Sequence, residues 1–208
     1  MERAAIKELF GKNYLGKEEL KPFLEKLGCD SSMVEEPQVQ YDDDVLYKAA
    51  ANNYILIWGI GHLDGKNINL LFLRDVFGID PEVSEPCLYN QDWYLKEDFM
   101  NITLENKWYL IKKDVYEDSR AVMPNDLENK GLNFPPAVLC VYTFFAYYFA
   151  NEEYIWYHDF VWCNDRDHNG DRVYVGKYHD VDGVNKNGFS IHRHLALRDC
   201  YASSNYIG

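Results

Sequence analysis

The chain is 208 residues long, 47% hydrophobic and 16% aromatic, and its 21 basic and 34 acidic side chains leave a formal charge of −13. That length suits one domain with a sizeable core, and rings in this number exclude a disordered chain. A surplus of carboxylates excludes general nucleic-acid binding and docking on anionic lipid, which need Lys and Arg, and leaves room for a basic protein partner.

Residues 1–28 read as a helical hairpin. Ile6, Leu9 and Phe10 stand at helical spacing and Gly11 interrupts; Leu20, Phe23, Leu24 and Leu27 then form one stripe of a helix over 17–27 that stops at Gly28. Glu18, Glu19 and Glu25 oppose a DNA-reading role for this pair. The segment is charged from Glu2 onward and lacks the apolar stretch of a secretory signal. Residues 29–44 read as an acidic linker, with Asp44 as the N-cap of the next helix. The expected organisation is a single domain over 1–208, with a helical segment at 1–28 and an α+β body at 45–208.

Residues 54–60, YILIWGI, predict a buried strand, followed by a turn at Gly61–Gly65. Gly59, Gly61, Gly65 and Lys66 come close to a nucleotide loop. The spacing matches neither GxGxxG nor a P-loop, and Asn67 stands where a Mg²⁺-binding hydroxyl belongs, so a hairpin turn explains them better. A helix is expected over 69–77, loops over 80–101, a strand from Trp108 through Tyr116, and a polar loop over 125–136. Residues 137–150, AVLCVYTFFAYYFA, carry no charge. A membrane span needs about 20 apolar residues, so this run is expected as a buried core helix behind Pro135 and Pro136.

The last third predicts a three-stranded antiparallel meander over 154–163, 171–178 and 187–194, with Asp-, Asn- and Gly-rich connections. The fold class expected is therefore α+β: a short N-terminal helical hairpin, a central buried helix and a mainly antiparallel sheet ending in that meander. Cys29, Cys87, Cys140, Cys163 and Cys200 are odd in number and scattered, which suits free thiols in a reducing, cytoplasmic setting.

Three constellations suggest chemistry. Asp165, Asp167, Asn169 and Gly170 match the opening of a calcium loop, in which alternate oxygens wrap a hard cation. The match fails at the twelfth position, Gly176, and turn chemistry accounts for the same residues. His192 and His194 share one face of the third strand, as Zn²⁺ or Fe²⁺ ligands do, at the same end of the sheet as Cys163, Asp165, Asp167 and His168. The intervening strand holds the two sets about 10 Å apart. The loop carrying Asp180, Asp182, Asn185 and Asn187 lies at the opposite end and is not expected to share an ion with the first. Finally, Tyr89, Asn90, Gln91, Asp92, Trp93 and Tyr94 interleave rings with amides, as carbohydrate sites do, although Trp and Tyr equally anchor long loops. Gly188-Phe189-Ser190-Ile191-His192 lacks the second glycine of a nucleophile elbow.

The segments YNQDWY, WYLIKKDVYEDSR and GFSIHRHLALR resemble segments of uncharacterised bacterial proteins of similar length. The resemblance implies a bacterial, cytoplasmic origin and carries no activity. The expectation is a non-enzymatic binding protein for a protein or small polar ligand, carbohydrate included. A metal-dependent enzyme at the His192/His194 end and a calcium-stabilised domain at Asp165–Asn169 are the alternatives, and a divalent Ca, Zn or Fe ion is the cofactor they would need.

Overall fold

The computed structural model describes residues 1–177, 188–193 and 197–208. The loop with Asp180, Asp182, Asn185 and Asn187, and likewise Tyr178 and His194, lie outside the described residues.

The fold is α+β. The expected N-terminal hairpin is present as α1, Arg3–Phe10, and α2, Lys17–Lys26, with the short strand β1, Tyr14–Leu15, between them. Each helix buries a single stripe, Ile6 and Phe10 on α1 and Leu20, Phe23 and Leu24 on α2. At the start of α2 the Glu19 carboxylate accepts the Gly16 N–H at 3.2 Å. Helix α3, Asp43–Ala51, is capped two residues earlier than expected. Asp42, not Asp44, is the N-cap, because its carbonyl accepts the N–H groups of Val45 and Leu46. Asp43 and Asp44 then fall in the first turn, where the helix dipole favours carboxylates.

Strand β2, Tyr54–Gly59, is buried along its whole length because it pairs on both sides, parallel with β1 and antiparallel with β5, Lys107–Lys112. The strand expected through Tyr116 thus ends at Lys112. The glycine-rich stretch is a hairpin. Strands β3, His62–Leu63, and β4, Lys66–Asn67, flank Asp64 and Gly65, both at positive φ (52° and 71°), as a tight two-residue turn requires. A Cβ at Gly61 would run into the Leu104 carbonyl, so this glycine serves close backbone packing. Asn69 caps α4, Leu70–Phe77, by accepting the Phe72 N–H at 2.9 Å.

Where a polar loop was expected there is a short helix, α5, Pro124–Asn129. Proline at its first position is preset for a helix, and the helix buries just Pro124 and Leu127, too few for a periodic signal. Helix α6, Ala137–Asn151, is buried from Ala137 through Tyr147 and so shows no polar stripe. It lies at the centre of the core: Phe145 stacks on Phe77 of α4 at 3.9 Å, Tyr142 meets Phe23 of α2 at 4.9 Å and Phe144 meets Phe189 at 4.2 Å. No helix among the described residues is long and apolar enough to cross a membrane.

The meander is formed by β6, Phe160–Arg166, β7, Arg172–Lys177, and β8, Phe189–His192, paired antiparallel in that order. Its first strand starts six residues later than expected and runs on to Arg166. Trp156 takes φ +48°, which interrupts extended backbone, and Tyr154 stacks on Tyr148 and Tyr157 instead of entering a ladder. Strand β9, Tyr201–Ala202, joins β6 in parallel, and β10, Tyr206–Ile207, crosses to pair with β5, so the C-terminal tail ties the two sheets together. Alternation along the C-terminal sheet sends Val161, Cys163, Val173, Val175 and Ile191 into the main core. Phe160, Trp162 and Tyr174 face outward into a second cluster, with Tyr201, Phe134 and Leu127. The candidate site is at the edge of that second face.

Candidate functional site

The β6–β7 connection is a tight turn built on Asp167. Its Oδ1 accepts the N–H groups of Asn169 at 2.9 Å and Asp171 at 2.8 Å, and Gly170 takes φ +84°. The other oxygen, Oδ2, accepts Arg193 Nη1 at 3.0 Å from just beyond β8. Burial pushes the Asp167 carboxyl up, but the Asp171 N–H, the Arg193 guanidinium and the Asn169 N–H outweigh it and hold the group below the usual range. Glu97, from the long loop before β5, is buried beside it. It accepts the His168 N–H at 2.9 Å, lies 2.6 Å from His168 Nδ1 and stands 4.0 Å from Arg193.

Among the described residues, Glu97, Asp167 and His168 place ligand atoms within 4.8 Å of one another. The positive charge between the two carboxylates is supplied by Arg193, whose guanidinium also lies 4.8 Å from the centre of the Trp93 ring. Of the described residues expected to bind a metal, Asp167 is the one that joins this group. Asp165 turns the other way and accepts the Ala137 N–H at the start of α6, at 2.6 Å. Asn169 is exposed on the turn and engages through its backbone N–H. His192 faces Gln91 Nε2 across 3.1 Å and stacks on Tyr174 at 5.4 Å.

The 89–94 segment docks along the free edge of β8. Tyr89 N–H bonds the Phe189 carbonyl at 2.9 Å, Gln91 Oε1 accepts the Ile191 N–H at 3.3 Å and Trp93 Nε1 donates to the Ile191 carbonyl at 3.0 Å. The segment thereby covers a sheet edge that would otherwise be open. Tyr94 is buried with its hydroxyl 3.3 Å from Arg74 Nε, and Arg74 also pairs with Asp92 at 3.3 Å. The Tyr89 and Asn90 side chains point outward.

Beside the turn, between α5 and the sheet, is a cleft of about 230 Å³, lined among others by Met123, Pro124, Trp162, Arg166, Arg172 and Arg193. Arg172 is pinned in its wall. Nη1 donates to the Cys163 carbonyl at 2.9 Å, Nη2 to Glu128 at 2.6 Å, and the guanidinium covers the Phe134 ring at 4.8 Å. Burial, and then the charge of Arg166, hold its pKa below the ordinary value for arginine. Arg166 is exposed, with Nη1 on the Gly170 carbonyl at 2.9 Å.

Three residues of this lining each carry a buried N–H with no partner among the described residues: Trp162 Nε1, Arg172 Nε and Arg193 Nε. Trp58, Trp93 and Trp108, by contrast, each donate to an oxygen, Asn106 at 2.6 Å, Ile191 at 3.0 Å and Pro37 at 2.9 Å. Trp156 Nε1 also lacks a partner among the described residues. Trp156 lines a second cleft in which Lys113 pairs with Glu153 at 2.9 Å and Arg120 with Asp159 at 2.6 Å.

Glu97 and Arg193 are the members that sequence reasoning missed. Glu97 is far from the turn in the chain, and nothing local marks it. Arg193 stands between the two histidines of the third strand, and its charge was the available signal. All five cysteines are free thiols, four of them buried. Comparison with protein-family models, with curated proteins and with solved structures finds no match.

Proposed function

We propose that the protein is a non-enzymatic binding protein and that it takes a small polar ligand in the cleft between α5 and the C-terminal sheet. The observation that carries this reading is that three residues lining one cleft, Trp162, Arg172 and Arg193, each carry a buried N–H without a partner among the described residues. A buried donor left unpaired costs about 1–3 kcal/mol, and folded proteins keep few of them. Three at one opening are best explained by a ligand that accepts from them. A metal at Glu97, Asp167 and His168 would have to displace Arg193, so the neighbouring cluster serves better as the support that fixes this arginine. The setting proposed is the bacterial cytoplasm. Five free thiols suit a reducing compartment, and the resemblance of YNQDWY, WYLIKKDVYEDSR and GFSIHRHLALR to bacterial chains supplies the origin. The charge of −13 further suits a basic protein partner elsewhere on the surface.

The test is a thermal-shift panel of small polar compounds on the intact chain. A ligand that binds only the folded state raises the midpoint. The expected result is a compound that raises it for the wild type and loses its effect in Trp162→Phe, which keeps the ring but not the N–H. A panel without effect, or a shift unchanged in Trp162→Phe, overturns the reading.

A further inference from the structure

Resting on that reading, we propose that the ligand of the cleft is an oxyanion, a carboxylate or phosphate group on a short apolar body. Four observations lead there. The unpartnered groups are arginine and indole N–H donors, which have no acceptor capacity, so the ligand must supply the acceptors. Three guanidinium groups line the cleft against one carboxylate, Asp171, while Glu128 and Asp167 are already engaged by Arg172 and Arg193. In a chain of net charge −13, three arginines at one opening are a local concentration of guanidinium donors, two of them balanced by their paired carboxylates.

The third observation concerns register. Arg166 and Arg172 stand directly opposite each other across the β6–β7 pair. Like charges in that position repel and weaken the sheet. An anion between them turns the repulsion into two attractions, and arginine's planar fork fits both carboxylate and phosphate. The roles then divide. Arg172 is fixed by Cys163, Glu128 and Phe134; Arg193 is fixed by Asp167 and Trp93; Arg166, tied among the described residues to a backbone carbonyl, is the arm that closes on the ligand.

The fourth observation sets size and body. Met123, Pro124 and Trp162 give the cleft an apolar side, and about 230 Å³ is below the usual range of about 300–1,000 Å³ for drug-sized ligands. The body is therefore short, comparable with a single ring or a few methylenes.

Titration calorimetry on the intact protein with four probes tests the proposal: benzoate, phenyl phosphate, inorganic phosphate and neutral benzamide. The expected result is binding of benzoate or phenyl phosphate, the better of the two naming the head group, with inorganic phosphate weaker and benzamide silent. Arg166→Gln, an exposed position whose loss relieves the opposed charges, should stay folded and bind about tenfold more weakly, as loss of a charge-assisted hydrogen bond predicts. Anion binding that is unchanged in Arg166→Gln overturns the proposal. Binding of benzamide as strong as that of benzoate overturns it too, but leaves the small-polar-ligand reading standing. Silence from all four probes, with neutral polyols also failing to shift the wild type, ends both.

Discussion

Asp165 and Ala137 join the acidic end of the meander to the central helix: the carboxylate accepts the first N–H of α6 at 2.6 Å. Burial raises the Asp165 pKa above the ordinary aspartate value, and hydrogen bonds to the Ala137 and Asp165 N–H groups only partly offset it. A carboxyl whose folded pKa is raised contributes stability below its unfolded pKa and loses it as pH climbs through the folded one. Asp165→Asn keeps an oxygen for Ala137 and removes the buried charge. Its melting point is expected to equal or exceed that of the wild type at pH 7, with the gap closing toward pH 4. A variant less stable at pH 7 by the same margin as at pH 4 would show the charge to be irrelevant.

Asp167 has the opposite sign. Its folded pKa is lowered, so its contribution is present above the ordinary aspartate value and disappears as pH falls through the lowered one. Asp167→Ala strands two backbone N–H groups and Arg193. Urea unfolding at pH 7 should show a loss of about 2–4 kcal/mol, and the deficit should shrink under strongly acid conditions.

Gly176 sits opposite Phe160 in the β6–β7 ladder, where a Cβ would run into the Asp159 carbonyl. Backbone cannot yield as a flexible side chain does. Gly176→Ala should therefore destabilise the protein by about 1–3 kcal/mol in urea unfolding; a neutral result would mean that β6 and β7 are farther apart than described.

Glu152 ends α6 in the left-handed region, at φ 55° and ψ 31°. Glycine adopts that conformation freely and is the usual residue there. Glu152→Gly is expected to stabilise the fold by about 0.5–1 kcal/mol, read as a higher melting point with unchanged far-ultraviolet dichroism.

The α+β class, the N-terminal hairpin, the central helix and the meander were legible because each rests on a strong local pattern. Two stripes at helical spacing mark α1 and α2, an uncharged run behind Pro135 and Pro136 marks α6, and alternation punctuated by turn residues marks β7 and β8. What failed locally did so for tertiary reasons. Tyr154–Asp159 is aromatic enough for a strand, yet Trp156 bends it so that Tyr154 and Tyr157 pack on each other. Helix α5 buries two residues, Pro124 and Leu127, and that gives no period. The Asp165–Gly170 string was recognised as unusual, but its oxygens serve a helix terminus, a turn and Arg193. The arginine cleft was invisible in the chain because its members come from β6, β7 and the end of β8, and only strand register brings Arg166, Arg172 and Arg193 to one opening.

Trp162 offers the most direct test. The protein has five tryptophans, and their indole N–H signals are separable in a nitrogen–proton correlation spectrum, with Trp162 assigned by its disappearance in Trp162→Phe. On titration with benzoate or phenyl phosphate, the Trp162 indole signal is predicted to move progressively to higher proton frequency, the mark of a newly accepted hydrogen bond, while those of Trp58 and Trp108, already bonded to Asn106 and Pro37, stay in place. A Trp162 signal that holds still throughout the titration would contradict the account.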